Sequence, residues 1–169
     1  MKILSEHLDS LRDLYINQLQ HLHSAEQQIT DALPKMIEAA RTPELKSALE
    51  THLAETRQHV ARLEQILNAA TRSVKSKKCK AMDSLLAEGE DVVTDTNLNS
   101  VRDAAIIGAA QRVEHYEIAA YGTMRRYAQI LGEMQQVDIL QQTLDEEKHA
   151  DQVLNDIAET ANQQADKAA

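Results

Sequence analysis

Six acidic residues fall within or beside the apolar faces of predicted helices, where a carboxylate needs a partner. Moving an unpaired carboxylate out of water costs several kcal/mol, so such a position is stable when the charge is paired or binds a cation. One acid of this kind is more often a solvated residue at the edge of an apolar face, but every long helix carries at least one. The residue types therefore predict a metal site. The acids are Glu26, Glu55, Glu114, Glu117, Glu147 and Asp151.

The spacing of these acids repeats along the chain. Glu26 and Glu55 are 29 residues apart, and Glu117 and Glu147 are 30 residues apart. In each pair, a further possible ligand lies four residues after the second acid, which is about one helical turn. Two helix pairs related by an approximate two-fold axis would bring all these groups to one level of a bundle. The repeat predicts a site for two metal ions.

The further ligands are His59, after Glu55, and Asp151, after Glu147. Ferritin-like two-metal sites use Glu-x-x-His on two helices, and this chain departs from that pattern. Coordination rich in oxygen favours iron, with manganese second, while zinc is not excluded. Six acids outnumber the charge of two divalent ions, so either one acid is protonated or outside the ligand set, with Glu114 and Asp151 the candidates, or the metals adopt a higher oxidation state.

Other polar residues near these positions have simpler interpretations. Tyr121 lies one turn after Glu117 and is a weak candidate for a proton donor, although a buried tyrosine is more often structural. Histidines such as His52, taken alone, are more often core or capping residues than ligands. Glu146 and His149 have the Glu-x-x-His spacing but fall off the apolar face, and we expect them at the surface.

Long helical windows separate the few helix-breaking residues, since the chain has only four Gly and two Pro. Apolar residues recur every three or four positions in each window, which is typical of an amphipathic helix. Thr42-Pro43-Glu44 is a strong helix start, and Pro34 is expected to bend or interrupt the last turns of the first helix. The predicted helices run from Ser5 to about Arg41, from Thr42 to about Ala69, from about Asn97 to Leu131 and from about Glu133 to Ala161, with a short helix over Ala81–Val93.

The connections between the predicted helices select a topology. Short turns join helix one to helix two and helix three to helix four, so each pair is antiparallel. The long link between helices two and three can cross the whole bundle, which is how a ferritin-like bundle is connected. We therefore predict an all-α, ferritin-like four-helix bundle whose crossover carries the short extra helix. Residues 1–162 form one domain in this prediction, and 163–169 form a polar, disordered tail.

Composition excludes several other classes. The chain of 169 residues has no Phe or Trp and few turn residues, which disfavours an all-β fold. The net charge of −9 argues against nucleic acid as a partner. No segment approaches the about 18 apolar residues of a membrane span. The single cysteine, Cys79, and the lack of an apolar signal segment predict a cytoplasmic protein.

Several segments resemble the YciE/YciF-type bacterial stress proteins, over about Leu8 to Ala158. The likeness is most specific in the third predicted helix. The segments are Ser24-Ala-Glu-Gln-Gln, Ala32-Leu-Pro-Lys, His52-Leu-Ala-Glu-Thr, Lys78-Cys-Lys-Ala-Met, Val101-Arg-Asp-Ala-Ala, Val113-Glu-His-Tyr-Glu-Ile-Ala-Ala-Tyr-Gly and Leu144-Asp-Glu-Glu-Lys.

The resemblance implies a ferritin-like bundle related to rubrerythrins, a di-iron site, a homodimer and a link to stress responses. In that family, the position of His59 can carry Gln, which weakens its case as a ligand. The family's metal-site acids fall on Glu26, Glu55, Glu114, Glu117, Glu147 and Asp151.

Three functions are compatible with these features. The first is a di-iron oxidoreductase that reduces peroxide or activates dioxygen, with an external electron donor because the chain has no rubredoxin-like cysteine pairs. The second is an iron-handling protein, and the third is a stress protein whose metal only stabilises the bundle. We also expect a homodimer that covers the apolar residues Leu8, Ile16, Leu53 and Val60, with a two-fold interface.

Overall fold

The structure is a computed structural model that describes residues 7–97 and 100–167, and every regular element in these ranges is a helix. The all-α class and the extra helix in the crossover are therefore confirmed. In the structure, the short crossover helix is slightly longer at both ends than the predicted range. The helices are α1 (Leu11–Ala39), α2 (Pro43–Thr71), α3 (Lys80–Asp95), α4 (Ser100–Ile130) and α5 (Met134–Asp166).

The first helix begins later than predicted. Ser5 lies outside the described residues, and the four residues before Leu11 are not helical. Ser10 is the N-cap because its Oγ accepts a hydrogen bond from the backbone N–H of Asp13 at 3.1 Å, which satisfies one of the free donors of the first turn. The helix continues through Pro34 and ends at Ala39. The proline therefore does not terminate it.

The turn between α1 and α2 is held by an acid from α4. Asp103 is buried, and its carboxylate accepts from the backbone N–H of Arg41 at 2.7 Å and of Thr42 at 2.9 Å. Hydrogen bonds to a charged group contribute about 1.5–3 kcal/mol each to stability. Pro43 occupies the first turn of α2, as its fixed φ favours, but the Thr42 side chain makes no capping bond.

The crossover packs onto one side of the bundle. Its helix α3 contacts α1 and α4. The basic segment before it is largely exposed or half-buried, as predicted, except that Cys79 is buried and caps α3. The Cys79 Sγ lies 3.1 Å from the Tyr116 hydroxyl.

A tight turn joins α4 to α5. Gly132 has a φ of +76°, a left-handed conformation that other residues adopt at a cost, which confirms it as the stop of the helix before it. Helix α5 runs to Asp166, five residues beyond the predicted end at Ala161. Residues 163–166 are therefore helical where a disordered tail was predicted, and residues 168–169 lie outside the described residues.

The four long helices form a bundle with two apolar cores. Helix α1 packs on α2 and α4, and α5 packs on α4 and α2. One core is centred on Leu49, Ile106 and Met82, and the other on Leu19, Leu63 and Leu140. Among the described helices, none has the length and apolar character needed to cross a membrane.

Candidate metal centre

A layer of buried polar side chains separates the two apolar cores. On α1, for example, Glu26 follows Leu22 of one core and precedes Ile29 of the other. Each long helix contributes to the layer, because the same three- and four-residue spacing that buries leucines also buries these polar residues. Its members are at most 6% exposed. They are Glu26, His52, Thr56, His59, Glu114, Glu117 and Glu147.

Two groups of possible metal ligands lie in this layer and share one residue. The first group is Glu26, His59 and Glu147. In it, the Nδ1 of His59 lies 3.0 Å from Glu147 Oε1 and 3.6 Å from Glu26 Oε1. Within each group, one ligand atom per residue lies within 4.8 Å of those of all the others. Each group can therefore hold a metal ion.

The second group adds His52, Glu114 and Glu117 to the shared Glu147. The Nε2 of His52 lies 3.3 Å from Glu114 Oε1. Because Glu147 belongs to both groups, it would be a ligand shared between them if each group held a cation.

Most ligand atoms of this layer lack hydrogen bonds to other described residues. Both oxygens of Glu117 and of Glu147 have no hydrogen-bond partner, and neither do both ring nitrogens of His52 and the Nδ1 of His59. Buried polar atoms without partners are rare, since each costs about 1–3 kcal/mol. A hard or borderline divalent cation with carboxylate and imidazole ligands would satisfy them together. The donor set therefore fits a metal centre.

Burial and mutual repulsion shift the protonation of this layer. Desolvation and then the charges of Glu147 and neighbouring acids raise the pKa of Glu114 and Glu117 well above the usual range. Burial likewise raises the pKa of Glu147, to about 7. Without a cation, these carboxyls therefore keep protons that a metal would displace.

The two histidines shift in opposite directions. Burial lowers the pKa of His52 to about 4, so its ring is neutral and available as a ligand. Burial also disfavours the charged form of His59, but the carboxyl oxygens of Glu147 and Glu26, which lie 3.0 Å and 3.6 Å from its Nδ1, outweigh it and raise its pKa to about 11. In the metal-free protein, the His59 imidazolium therefore partly compensates the buried acids.

A half-buried acid, Glu146, orients His59 from the other side. The Nε2 of His59 donates to Glu146 Oε2 at 2.9 Å, which leaves Nδ1 facing the buried acids. Arg62 donates to both oxygens of Glu146, at 3.0 Å to Oε1 and more closely to Oε2. Such outer partners fix the ring orientation of a histidine ligand. Glu146 was predicted as a surface residue, and its sequence position off the apolar face gave no signal of this contact.

Two of the predicted ligands lie outside both groups. Glu55 is half-buried and lines a cleft between α2 and α5, because the inward face of α2 is occupied by Thr56. The position three residues before His59, where a Glu-x-x-His motif has its glutamate, is therefore Thr56. Its hydroxyl donates to the His52 carbonyl at 2.8 Å. Asp151 is also half-buried and lies 3.3 Å from the exposed His115.

His52 takes the place in the groups that the sequence assigned to Glu55. It was interpreted as an ordinary core histidine, although it lies one turn before Thr56 on the same buried face. Its position on this buried face was the feature of the sequence that could have identified His52 as a possible ligand. His149 is exposed, as predicted.

Tyr121 contacts the site through one acid. Its hydroxyl donates to Glu26 Oε1 in a short hydrogen bond, and its ring meets the His59 ring edge-on at 6.2 Å between centroids. Burial, then the nearby acids, raises the pKa of the Tyr121 hydroxyl well above its usual value, so it holds its proton.

The chain is similar to proteins of one family along most of its length. Residues 10–166 match the family described as Domain of unknown function (DUF892). Protein YciF of Escherichia coli K12 is 41% identical over 152 residues, which cover 89% of this chain and 92% of YciF.

Solved structures agree with the sequence match. The crystal structure of the E. coli stress protein YciF has a TM-score of 0.88 and 39% identity, covering 92% of this chain and 99% of that one. YcfI of Rhodopseudomonas palustris, which has been suggested to be a structural protein, has a TM-score of 0.85 and 40% identity, covering 90% and 98%. The matched family covers nearly all of the chain, and this protein therefore belongs to the DUF892 family, with YciF among its relatives.

Proposed function

We propose that this protein is a ferritin-like, non-haem di-metal protein of the bacterial stress response that reduces peroxide or activates dioxygen in the cytoplasm. The observation that carries the proposal is the buried layer of carboxylate and imidazole atoms without hydrogen-bond partners. The stress-protein description of E. coli YciF supports the physiological setting.

The ligand groups suggest the number and kind of ions. Four carboxylates, on Glu26, Glu114, Glu117 and Glu147, carry together the charge that two divalent ions balance. Six acids had suggested a surplus, and the surplus disappears because Glu55 and Asp151 lie outside the groups. Iron is the proposed metal and manganese the second choice, since both accept mixed oxygen and nitrogen ligands. A pair of such ions supplies electrons to an oxygen substrate.

The residues of the chain supply positioning and protons. Reduction of hydrogen peroxide to two waters consumes two electrons and two protons, so an external donor must supply the electrons. Glu26 is held by Tyr121, and His59 is held by Glu146. The carboxyls with raised pKa in this layer, Glu114, Glu117 and Glu147, give up their protons when metal binds, so the Tyr121 hydroxyl, which keeps its proton, is the proposed internal proton donor.

A second candidate is a protein whose metal only stabilises the bundle. The complete burial of Glu26, His59, Glu117 and Glu147 favours it, because a substrate must still reach the ions. In either case we propose a homodimer, in which the exposed Leu8 and the half-buried Ile16, Leu53 and Val60 contribute to the interface.

Metal analysis and peroxide turnover test the proposal together. Protein purified without chelator or nickel resin should contain about two iron or manganese ions per chain. Adding hydrogen peroxide to the reduced protein should change the visible absorption and consume peroxide while a donor is present. Bound metal without peroxide or dioxygen consumption would support the stabilising role instead. Absence of stoichiometric metal would contradict both.

Replacing Tyr121 by Phe tests how Glu26 is held. The change removes the hydroxyl that donates to Glu26 Oε1 and leaves a buried carboxylate without that partner. We expect metal affinity to fall about 10-fold, as for other residues that orient a ligand. A cobalt titration measures this, with Tyr127→Phe, six residues further along α4, as the matched control. Equal affinities for the two variants would show that the hydroxyl does not position Glu26.

A further inference from the structure

A cleft between α2 and α5, lined by both polar and apolar side chains, reaches the candidate metal centre from outside. It has a volume of ≈360 Å³. Glu44 lies at its exposed part, Glu55 is half-buried along it, and the buried His52 and Glu114 form its inner end. Burial thus increases step by step from the surface to a ligand group.

The inner end of the cleft carries atoms that lack partners. Both ring nitrogens of His52, which is 6% exposed, and Oε2 of Glu114, which is 2% exposed, have no hydrogen bond to the described residues. These atoms point to a ligand that arrives through the cleft. The charge of its outer lining has one sign, because the described lining residues include Glu44 and Glu55 but no Lys or Arg.

The same histidine and acid also border an apolar cavity on the opposite side. That cavity has a volume of ≈50 Å³ and is lined mainly by aliphatic side chains such as Ile29, Leu85 and Ile106. Before it reaches His52 and Glu114, it offers no polar side chain to replace the water molecules that a divalent cation must shed. The cleft between α2 and α5 offers carboxylates, hydroxyls and an exposed imidazole, on His149, for that exchange.

We propose that this cleft is the uptake route for divalent cations, with Glu44 and Glu55 as its relay carboxylates. The proposal rests on the proposed metal centre and assigns Glu55 a role in delivery rather than in final coordination. A cation is attracted first to Glu44, passes to Glu55, and exchanges its remaining waters for His52 and Glu114. Acid-lined clefts raise local cation concentration and association rates by about 10–10³-fold.

Rates and equilibria of cobalt binding separate delivery from coordination. Metal-free full-length protein is mixed with Co²⁺ alone in a stopped-flow instrument, and the visible absorption of bound cobalt is followed. A titration against a competing chelator gives the equilibrium affinity. Circular dichroism confirms that each variant is folded.

Glu55→Gln should slow association about 5-fold, and Glu44→Gln with Glu55→Gln together about 10-fold or more. Dissociation should change less than about 2-fold, because the loss of long-range attraction acts mainly on the encounter, so the equilibrium affinity should fall about in step with the association rate. The rate difference should shrink at high salt, where screening weakens attraction. Glu50→Gln, on an exposed part of α2 outside the cleft, is the matched control and should bind at the wild-type rate.

A steric variant tests the route without changing charge. Ala48 is half-buried and lines the cleft. Ala48→Leu keeps good helix propensity but narrows the passage, and it should also slow association several-fold.

Three alternative outcomes would overturn the proposal, each for a different reason. Faster cobalt dissociation and weaker affinity in Glu55→Gln, with an unchanged association rate, would make Glu55 a direct ligand. Wild-type rates in both Glu55→Gln and Ala48→Leu would mean that cations enter elsewhere. If the wild-type protein binds no cobalt, the proposed metal centre itself fails.

Discussion

Removing metal is expected to lower the melting temperature of this protein by about 10 °C or more. A ligand that binds only the folded state stabilises it by about 2.7 kcal/mol at 100 times its dissociation constant, and two sites add. In a chain of this size each kcal/mol corresponds to roughly 2–4 °C. The metal relieves repulsion among Glu114, Glu117 and Glu147 and satisfies atoms that otherwise lack hydrogen bonds.

The effect of metal removal should grow between pH 6.5 and pH 8.5. A group whose folded-state pKa is raised keeps its proton after the unfolded chain has lost its own, so stability falls as pH rises through the folded pKa. Glu147, with a pKa of about 7, and His59, with a pKa of about 11, both act in this direction. His52, whose pKa is lowered to about 4, acts in the opposite direction but only below its usual value of 6.5.

Scanning calorimetry with iron or cobalt and with a chelator, at both pH values, measures this difference. The metal-loaded protein should be less sensitive to pH in this range, because its ligands are already deprotonated. A melting temperature that is indifferent to both metal and chelator would contradict the prediction.

The sequence predicted the helices well because their apolar residues repeat with the helical period. The same repeat placed Glu26, Glu117 and Glu147 on buried faces, and the structure buries all three completely. Helix ends were less predictable. Ser10, not Ser5, caps α1 because its hydroxyl meets the Asp13 N–H, and many polar residues near an end can serve this purpose equally well.

The difference between the predicted ligands and the two ligand groups comes from a rotation of one residue on α2. Successive helical residues differ by about 100° in direction, so Glu55 and Thr56 face different surroundings. The pattern of acids favoured Glu55, whereas the buried face of α2 carries His52, Thr56 and His59. A carboxylate near an apolar face can reach inward or outward, and only the packing of α5 against α2 settles which. The contact between Glu146 and His59 also depends on how α5 packs against α2. It joins residues 87 positions apart, so local sequence patterns could not predict it.

Two buried acids that look alike in sequence, Glu117 and Glu147, differ in their surroundings. Glu117 has no hydrogen-bond partner on either oxygen, and burial followed by neighbouring acids raises its pKa. Glu147 is equally buried but lies 3.0 Å from the Nδ1 of His59, whose imidazolium it helps to stabilise. In the metal-free protein, Glu117 is therefore costly, while Glu147 is partly compensated.

Glu117→Gln should raise the stability of the metal-free protein at pH 8 by about 2 kcal/mol, since it removes a buried acid that must stay protonated. Glu147→Gln should change it by less than about 1 kcal/mol, because the relief from repulsion is offset by the loss of a partner for His59. Both should weaken cobalt binding, and Glu147→Gln more strongly, by at least about 100-fold, because Glu147 belongs to both ligand groups.

Urea unfolding of the chelated variants and cobalt titration of each measure the two effects, with Glu159→Gln on an exposed part of α5 as the control for loss of one charge. For Glu117→Gln, the stability of the metal-free protein should rise while the cobalt affinity falls. The reason is that the buried Glu117 carboxyl destabilises the metal-free fold and is favourable only when it binds a metal. If both variants were instead destabilised without metal and bound cobalt as the wild type does, the buried acids would be held by internal hydrogen bonds and ion pairs. The polar layer would then be part of the packing of the bundle, and the bundle would fold without reference to a cation.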